Sequence, residues 1–493
     1  MQRPQRIRVK NESGRIQSLP EGREYFQDLG GSGPLLLLGL GPDPSETARL
    51  FNNPDIMYYV ECPDFEKQIP ATGNLPPQFR KLAPDQLDQS GDRHIFFYTP
   101  GKKLYPSFWG PIVSCLTLKK SGLLHGMRSK TCWLPGDGNS LLLPELSRAL
   151  SDAGFTYRVI DPDAMRKNLL SLLDRELPEM VISVNFNGLD ATGETFFMLR
   201  EAGIKIAVWM VDNPFHLISG INSEYWKQVP LMVTDHWFIP RLEELGAEKV
   251  SHLPLATDPA IFHPGVDKFP GIEDRVVFVG RSSFPGKDTF FSGCTFNRQD
   301  YDDANAAMNS GLKPHFGWWT EHDGLKKFWP GKEVRMTGFR AEQSGLLWRS
   351  TALAEAGNRI TIFGDDGWKD FFTDVDLRGP VDYFTVLPSV YAGAELNLNL
   401  TSPLLPCGLT QRNFDVWATG GMLITDRTGG MCIFPDDLVN ECSFSTPKEI
   451  PGLCDRFRTL PRLAKTLSKV WHQLISEQHT YKHRLNNILE FIN

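Results

Sequence analysis

Gln411-Arg412-Asn413-Phe414-Asp415-Val416-Trp417-Ala418-Thr419-Gly420-Gly421-Met422-Leu423-Ile424-Thr425-Asp426 reads as one α/β unit. A polar loop enters a short helix with an acid in its first turn. A Gly-Gly pair then stops the helix, and an apolar run follows as a buried strand. Asp415 near a helix N-terminus is a favourable dipole partner in its own right. With Arg412 it also offers a cation for a diphosphate and a carboxylate for ribose hydroxyls.

The same grammar extends upstream. Leu396-Asn397-Leu398-Asn399-Leu400 alternates apolar and amide residues, so both asparagines leave one face of a strand, where a structural hydrogen-bond network or a sugar or phosphate would satisfy them. Ile360-Thr361-Ile362-Phe363 ends in Gly364-Asp365-Asp366-Gly367-Trp368, and Val276-Val277-Phe278-Val279 ends in Gly280-Arg281. These strands predict a second α/β domain over 266–475, with an insertion at about 288–345 where periodicity is lost. Before the break at Thr257-Asp258-Pro259 and His263-Pro264-Gly265, strands alternate with helices from Cys132 to Leu255. The glycine-rich turn Gly136 to Ser140 lies among them, so 126–265 reads as a Rossmann-like domain with a parallel sheet covered on both faces.

Residues 1–125 form a further α/β module. Leu35 to Leu38 runs into Gly39-Leu40-Gly41, and Met57 to Val60, ending in Glu61, follows about 20 residues later. The turn lacks the third glycine of a dinucleotide fingerprint, which favours a structural module over a nucleotide pocket. Residues 463–492 have helical spacing, and 476–493 is expected to pack across the domain pair. The predicted fold class is therefore α/β, two Rossmann-like domains facing a cleft plus an N-terminal module.

Composition narrows the function. With 52 basic and 59 acidic residues, formal net charge -7, no global field draws the chain to nucleic acid or anionic lipid, so an anionic ligand must be held locally. The eight cysteines show neither a C-x-x-C pair nor zinc-site spacing, which suits reduced thiols in a cytoplasmic protein and predicts no metal site. No stretch reaches the about 20 apolar residues of a membrane span, and Met1 to Ser18 lacks the apolar core of a signal peptide.

In doubly wound sheets ligands sit beyond the carboxyl ends of the strands. Gly280 lets a diphosphate approach the backbone, and Arg281, with Lys287 further on, would neutralise it. Gly364 and Asp365 shape a sharp turn, and Trp368 offers a face for a base. In the first domain Asp212 follows a strand and is a candidate acceptor base, or part of an Asx turn before Pro214; His216 is a second candidate.

The motif from Gln411 to Asp426, with Asn397-x-Asn399, Gly364 to Trp368, Val208 to Pro214 and Leu253 to Pro264, resembles the CgeB-like (spore maturation protein) glycosyltransferases, a bacterial GT-B group. The resemblance covers about residues 130–470. It implies transfer of a sugar from a nucleotide-sugar, a UDP-sugar above others, to a protein or glycan acceptor, with the donor held by the second domain and no cofactor required. Arg281, Gly280, Arg412, Asp415, Gly420 and Gly421 would then belong to the donor side. Where broader retaining GT-B enzymes carry an E-x7-E element, this chain has Cys407 and Asp415, and Lys287 lies one residue beyond their lysine spacing. Two other readings stay open: a non-catalytic GT-B-like nucleotide- or glycan-binding or assembly protein, and a methyltransferase or oxidoreductase using the Leu35 to Gly41 turn.

Overall fold

The computed structural model describes residues 7–51, 55–69, 75–87, 92–124, 126–138 and 140–493. Residues 1–6 of the basic N-terminal stretch and Asn139 of the glycine-rich turn lie outside them.

The C-terminal sheet runs, edge to edge, Asp376–Arg378, Ile360–Phe363, Val276–Val279, Leu396–Asn399, Leu423–Asp426 and Ser443–Phe444, all parallel. Its central strands Ile360–Phe363, Leu396–Asn399 and Leu423–Asp426 are buried along their whole length, as expected of a parallel sheet with helices on both faces. In chain order this is 3-2-1-4-5-6, so successive connections leave in opposite directions from Val276–Val279 and Leu396–Asn399, and a crevice opens beyond their carboxyl ends. The preceding sheet is also parallel: Val250–His252, Leu231–Val233, Lys205–Met210, Pro178–Val184, Ser129–Pro135, Thr156–Ile160.

The N-terminal sheet has the order Phe26–Gly30, His94–Tyr98, Leu35–Leu38, Met57–Val60, Phe79–Lys81, with only the first strand antiparallel. Its Gly39-Leu40-Gly41 turn is closed to a ligand. Glu61, the acid ending the next strand, accepts from Leu40 N at 2.8 Å and Cys62 N at 2.9 Å, and the turn packs under the rings of Tyr98 and Trp109. Burial raises the Glu61 pKa to about 7. The acid that would hold a ribose holds the turn itself, which removes the observation behind the methyltransferase or oxidoreductase reading.

The segment from 288 to 345 contains the helices Arg298–Asn309 and Phe316–His322 and the start of Glu333–Glu355. Although it leaves from the second sheet, it packs on the first domain: Phe316, Trp319 and Trp329 share a core with Phe215, Trp226 and Phe238. The helix Glu333–Glu355 is common to both domains, with Val334 and Ala341 in the first core and Trp348, Ala352 and Leu353 in the second. It shows no single apolar stripe because both flanks are buried. At the C-terminus, Pro461–Gln478 lies on the second domain, where Trp417 and Trp471 stack at 4.9 Å. The chain then bridges Thr257 to Thr480 and returns Tyr481–Ile492 to the first domain's core. Among the described residues no helix is long and apolar enough to cross a membrane.

Candidate functional site

Between the two domains, at the crevice beyond Val276–Val279 and Leu396–Asn399, lies a cavity of about 470 Å³. Asp212 and His216 reach it from the first domain, Arg281 and Thr401 from strand-end loops of the second, Arg412 from the start of one of its helices, and Glu342 and Arg349 from the shared helix. A second cavity of about 470 Å³ at the hinge, walled by Glu145, Arg148, Thr257, Asp258 and Tyr481, shares no residue with it. We place the functional site in the first, because three guanidinium groups converge there at the crevice where doubly wound sheets bind ligands.

Each cation is held by the fold. Arg412 opens the helix Arg412–Ala418, and its Nε donates to Asn399 Oδ1 at 2.7 Å. Asn399 is fully buried and fixed in turn, donating to Asn413 Oδ1 and Thr425 Oγ1 and accepting from Thr410 Oγ1, each at 3.0 Å. Asn399 is therefore a positioning residue for Arg412. Arg349 donates to the carbonyls of Arg281 at 2.9 Å and Ser282 at 3.0 Å, clamping the loop that carries the exposed Arg281. Arg281 and Arg412 enter no ion pair among the described residues. The loop is further held by Asp365, whose Oδ1 accepts from Ser282 N at 3.0 Å.

Asp212 lies at the cavity's other wall, its Oδ2 accepting from Asn185 Nδ2 at 2.7 Å. The concave surroundings raise its pKa, opposed by that hydrogen bond. Asn185 and Phe186 adopt left-handed φ values of 55° and 62°, rare for side-chain-bearing residues, and this bend turns the Asn185 amide across to Val211 N and Asp212. The adjacent Asn213 caps the helix Pro214–Ile218 and donates to Leu404 O at 2.9 Å across the cleft. His216 only grazes the cavity. Its ring is packed among Phe290, Phe291 and Phe316 with Nε2 3.3 Å from Val334 O, and burial draws its pKa down to about 4, so it is neutral at pH 7.

Several sequence candidates are not brought to the cleft. Trp368 is fully buried against Phe278 and donates to Gly280 O at 2.8 Å, so its face is unavailable to a base. Gly280 and Gly364 instead allow the two strand ends to approach: a Cβ on Gly364 would stand 2.5 Å from Gly280 O. Asn397 donates to Tyr391 O at 3.0 Å, which makes it structural. Gly420 ends the helix at φ 75°, and Gly421 packs on Tyr391 O, where a Cβ would lie at 2.7 Å.

Asp415 requires the largest correction. It is fully buried, with Oδ1 accepting from Thr257 Oγ1 at 2.8 Å and Oδ2 from Tyr383 Oη at 3.0 Å. A carboxylate occupied on both oxygens and sealed behind the hinge does not hold a ribose; it joins the second domain to the hinge at Thr257. Burial pushes its pKa well above the ordinary range, with the Thr257 and Tyr383 hydrogen bonds opposing and Glu145 and Asp258 adding to the rise.

A carboxyl whose folded pKa exceeds its unfolded one binds more protons when folded. Its stabilisation is complete below about pH 4 and is lost as pH rises through the folded value. Asp415→Asn is accordingly expected to flatten the stability–pH profile above pH 4, removing a slope of at most about 1.4 kcal/mol per pH unit. Denaturant melts of wild type and variant from pH 4 to 9 read this as a difference, which includes the coupling of Asp415 to Glu145 and Asp258. Parallel profiles would show that Asp415 ionises freely.

Sequence reasoning missed Glu342, Arg349 and Asn185. The first two lie seven residues apart on one helix face, within a segment whose double-sided burial erases the usual pattern. Asn185 carries no signal beyond its place after a strand.

Two parallel nucleotide-fold domains facing one cleft, with a cation cluster on the second domain's side, define a GT-B architecture. Residues 346–490 match the model of a family described as glycosyl transferase-like, in agreement with the activity expected from sequence. Solved structures similar to this chain include HepE of Anabaena in complex with UDP-glucose, at 10% identity over 73% of this chain and 98% of that one, TM-score 0.43. T4 phage BGT with its UDP-glucose substrate is similar at 11% identity over 74% and 99%, TM-score 0.41. The apo lipopolysaccharide outer core galactosyltransferase WaaB follows at 10% over 73% and 98%, TM-score 0.33. No curated protein matches the chain in sequence.

Proposed function

We propose that this chain is a glycosyltransferase that moves a sugar from a nucleotide-sugar, specifically a UDP-sugar, to a protein, glycan or other cell-surface-type acceptor, acting in the cytoplasm as a CgeB-like enzyme. The finer placement rests on the motifs around Arg412 and Asn397-x-Asn399. The observation that carries the reading is the convergence of Arg281, Arg349 and Arg412 on a cleft shared by two nucleotide-fold domains. Arg281 and Arg412, in no ion pair among the described residues, are matched to the oxygens of a diphosphate.

Sugar transfer breaks the bond between the anomeric carbon and the diphosphate oxygen and forms one to the acceptor oxygen, whose proton passes to a base. Negative charge grows on the departing nucleoside diphosphate, so fixed cations beside it stabilise the transition state more than the ground state. This scheme requires no cofactor. Asp212, on the opposite wall and with a raised pKa, is the base in an inverting transfer.

The test is a thermal-shift panel of UDP, GDP and their sugars, followed by transfer and hydrolysis assays with whichever donor binds. A ligand at about 100 times its Kd adds about 2.7 kcal/mol to the folded state, so binding is easily read. Absence of any shift overturns the donor reading. Binding without turnover favours the non-catalytic GT-B-like binding protein.

A further inference from the structure

Two carboxylates line the cleft, one from each side, and the scheme above uses only Asp212. The other, Glu342, is 5% exposed on the helix shared by both domains. A buried carboxylate beside a diphosphate site repels the ligand's charge, so its presence needs a reason.

Serving as counterion to Arg349 is an insufficient one. The Arg349 Nη2 to Glu342 Oε1 contact is 3.5 Å, at the limit of a hydrogen bond. The guanidinium is oriented instead by backbone carbonyls, of Arg281 at 2.9 Å, Ser282 at 3.0 Å and Gly345 at 3.2 Å. Glu342 therefore keeps most of its acceptor capacity, which a buried carboxylate ordinarily has satisfied. Burial raises its pKa, opposed by Arg349 and Lys287, in keeping with a site short of donors.

Position says what would supply them. Arg349 touches both Glu342 and the carbonyl of Arg281, so the carboxylate stands one guanidinium away from the loop that carries the exposed diphosphate cation. With a diphosphate on Arg281, a sugar bonded to its second phosphate would lie within the cavity that Glu342 lines. Phe290, Pro403 and Leu404 give the same cavity apolar surface for the C–H faces of a sugar ring, leaving its hydroxyls to the polar wall.

Resting on the donor-binding reading above, we propose that Glu342 reads the transferred sugar, its carboxylate accepting hydrogen bonds from ring hydroxyls and thereby selecting among donors with the same nucleotide. A buried acceptor left unpaired by a hydroxyl of the wrong configuration disfavours that epimer, which is how polar sites discriminate strongly where apolar ones do not.

The experiment uses the full chain, with UDP, UDP-glucose, UDP-galactose and UDP-N-acetylglucosamine measured by calorimetry and by kcat/KM. Glu342→Gln is expected to hold UDP affinity within about threefold of wild type, while the preference of wild type for its best donor over the epimer falls by about 30-fold or more. Glu342→Asp, which keeps the charge near Arg349 but withdraws it from the cavity, is expected to lose the same preference and serves if the Gln variant does not fold. Equal losses for UDP and UDP-sugars, with the preference intact, would overturn the assignment and leave Glu342 as support for Arg349. Wild type binding none of the four overturns the UDP-sugar reading on which the assignment rests, a result distinguishable because it needs no variant.

Discussion

Arg412→Ala lowers UDP affinity by about 100-fold or more, with little change in the unfolding of the free protein. A charge-assisted hydrogen bond contributes about 1.5–3 kcal/mol, and each 1.4 kcal/mol is tenfold in Kd, so loss of one bidentate phosphate contact accounts for that range. The geometry makes the loss specific. Asn399 anchors Arg412 through Nε, and Tyr391 also meets the Arg412 side chain, while Arg412 lines the cleft. Stability is spared because Asn399 Oδ1 retains the Thr410 hydroxyl and its amide keeps Asn413 and Thr425. Arg412→Lys keeps the charge but neither the planar fork nor the Asn399 anchor, so it falls between the two. Calorimetry with UDP, at two salt concentrations, checks this; wild-type affinity in the alanine variant places the diphosphate elsewhere.

Lys313→Met destabilises the second domain by about 3–5 kcal/mol, the usual consequence of breaking a buried ion pair on one side. Lys313 comes from the insertion, and its Nζ meets Asp426 Oδ2 at 2.6 Å while also donating to Thr401 O at 3.0 Å and Oγ1 at 2.7 Å. Asp426 accepts from Thr401 N and Oγ1, both at 2.8 Å, and its side chain is 1% exposed, so removing the ammonium strands a charge with no route to water. Thr401 opens the loop that lines the cleft, and the same loop receives Phe316 N at Pro403 O and Asn213 Nδ2 at Leu404 O. Loosening it should weaken UDP binding as well. Denaturant titration of Lys313→Met, Asp426→Asn and the double variant reads the coupling: recovery in the double variant of most of what the single lysine change removed is the expected result. Additive losses would show that the two side chains act independently.

The alternation at 396–400 illustrates what one-dimensional reading achieves and where it stops. The period of two places Asn397 and Asn399 on one face, and so they are, yet Asn397 ties down Tyr391 and Met422 while Asn399 aims Arg412. Residues two apart on a strand share a face but meet neighbours brought from other parts of the chain. Trp368 and Asp415 show the same limit: an indole after a strand and an acid in a helix's first turn suit a ligand or a core equally, and burial decided for the core in both.

The sequence alone determined the alternation of strand and helix, the glycine-ended strands and the position of Arg412 and Arg281 beyond them, because hydrophobic period and backbone permissiveness are properties of adjacent residues. Tertiary structure decided that Glu342 and Arg349 stand beside those cations, that Asn185 orients Asp212, and that Asp415 is sealed in the hinge. Those outcomes depend on which surfaces two domains and a shared helix bury against each other, and no local pattern encodes contacts between segments separated by 158 residues, as Thr257 and Asp415 are.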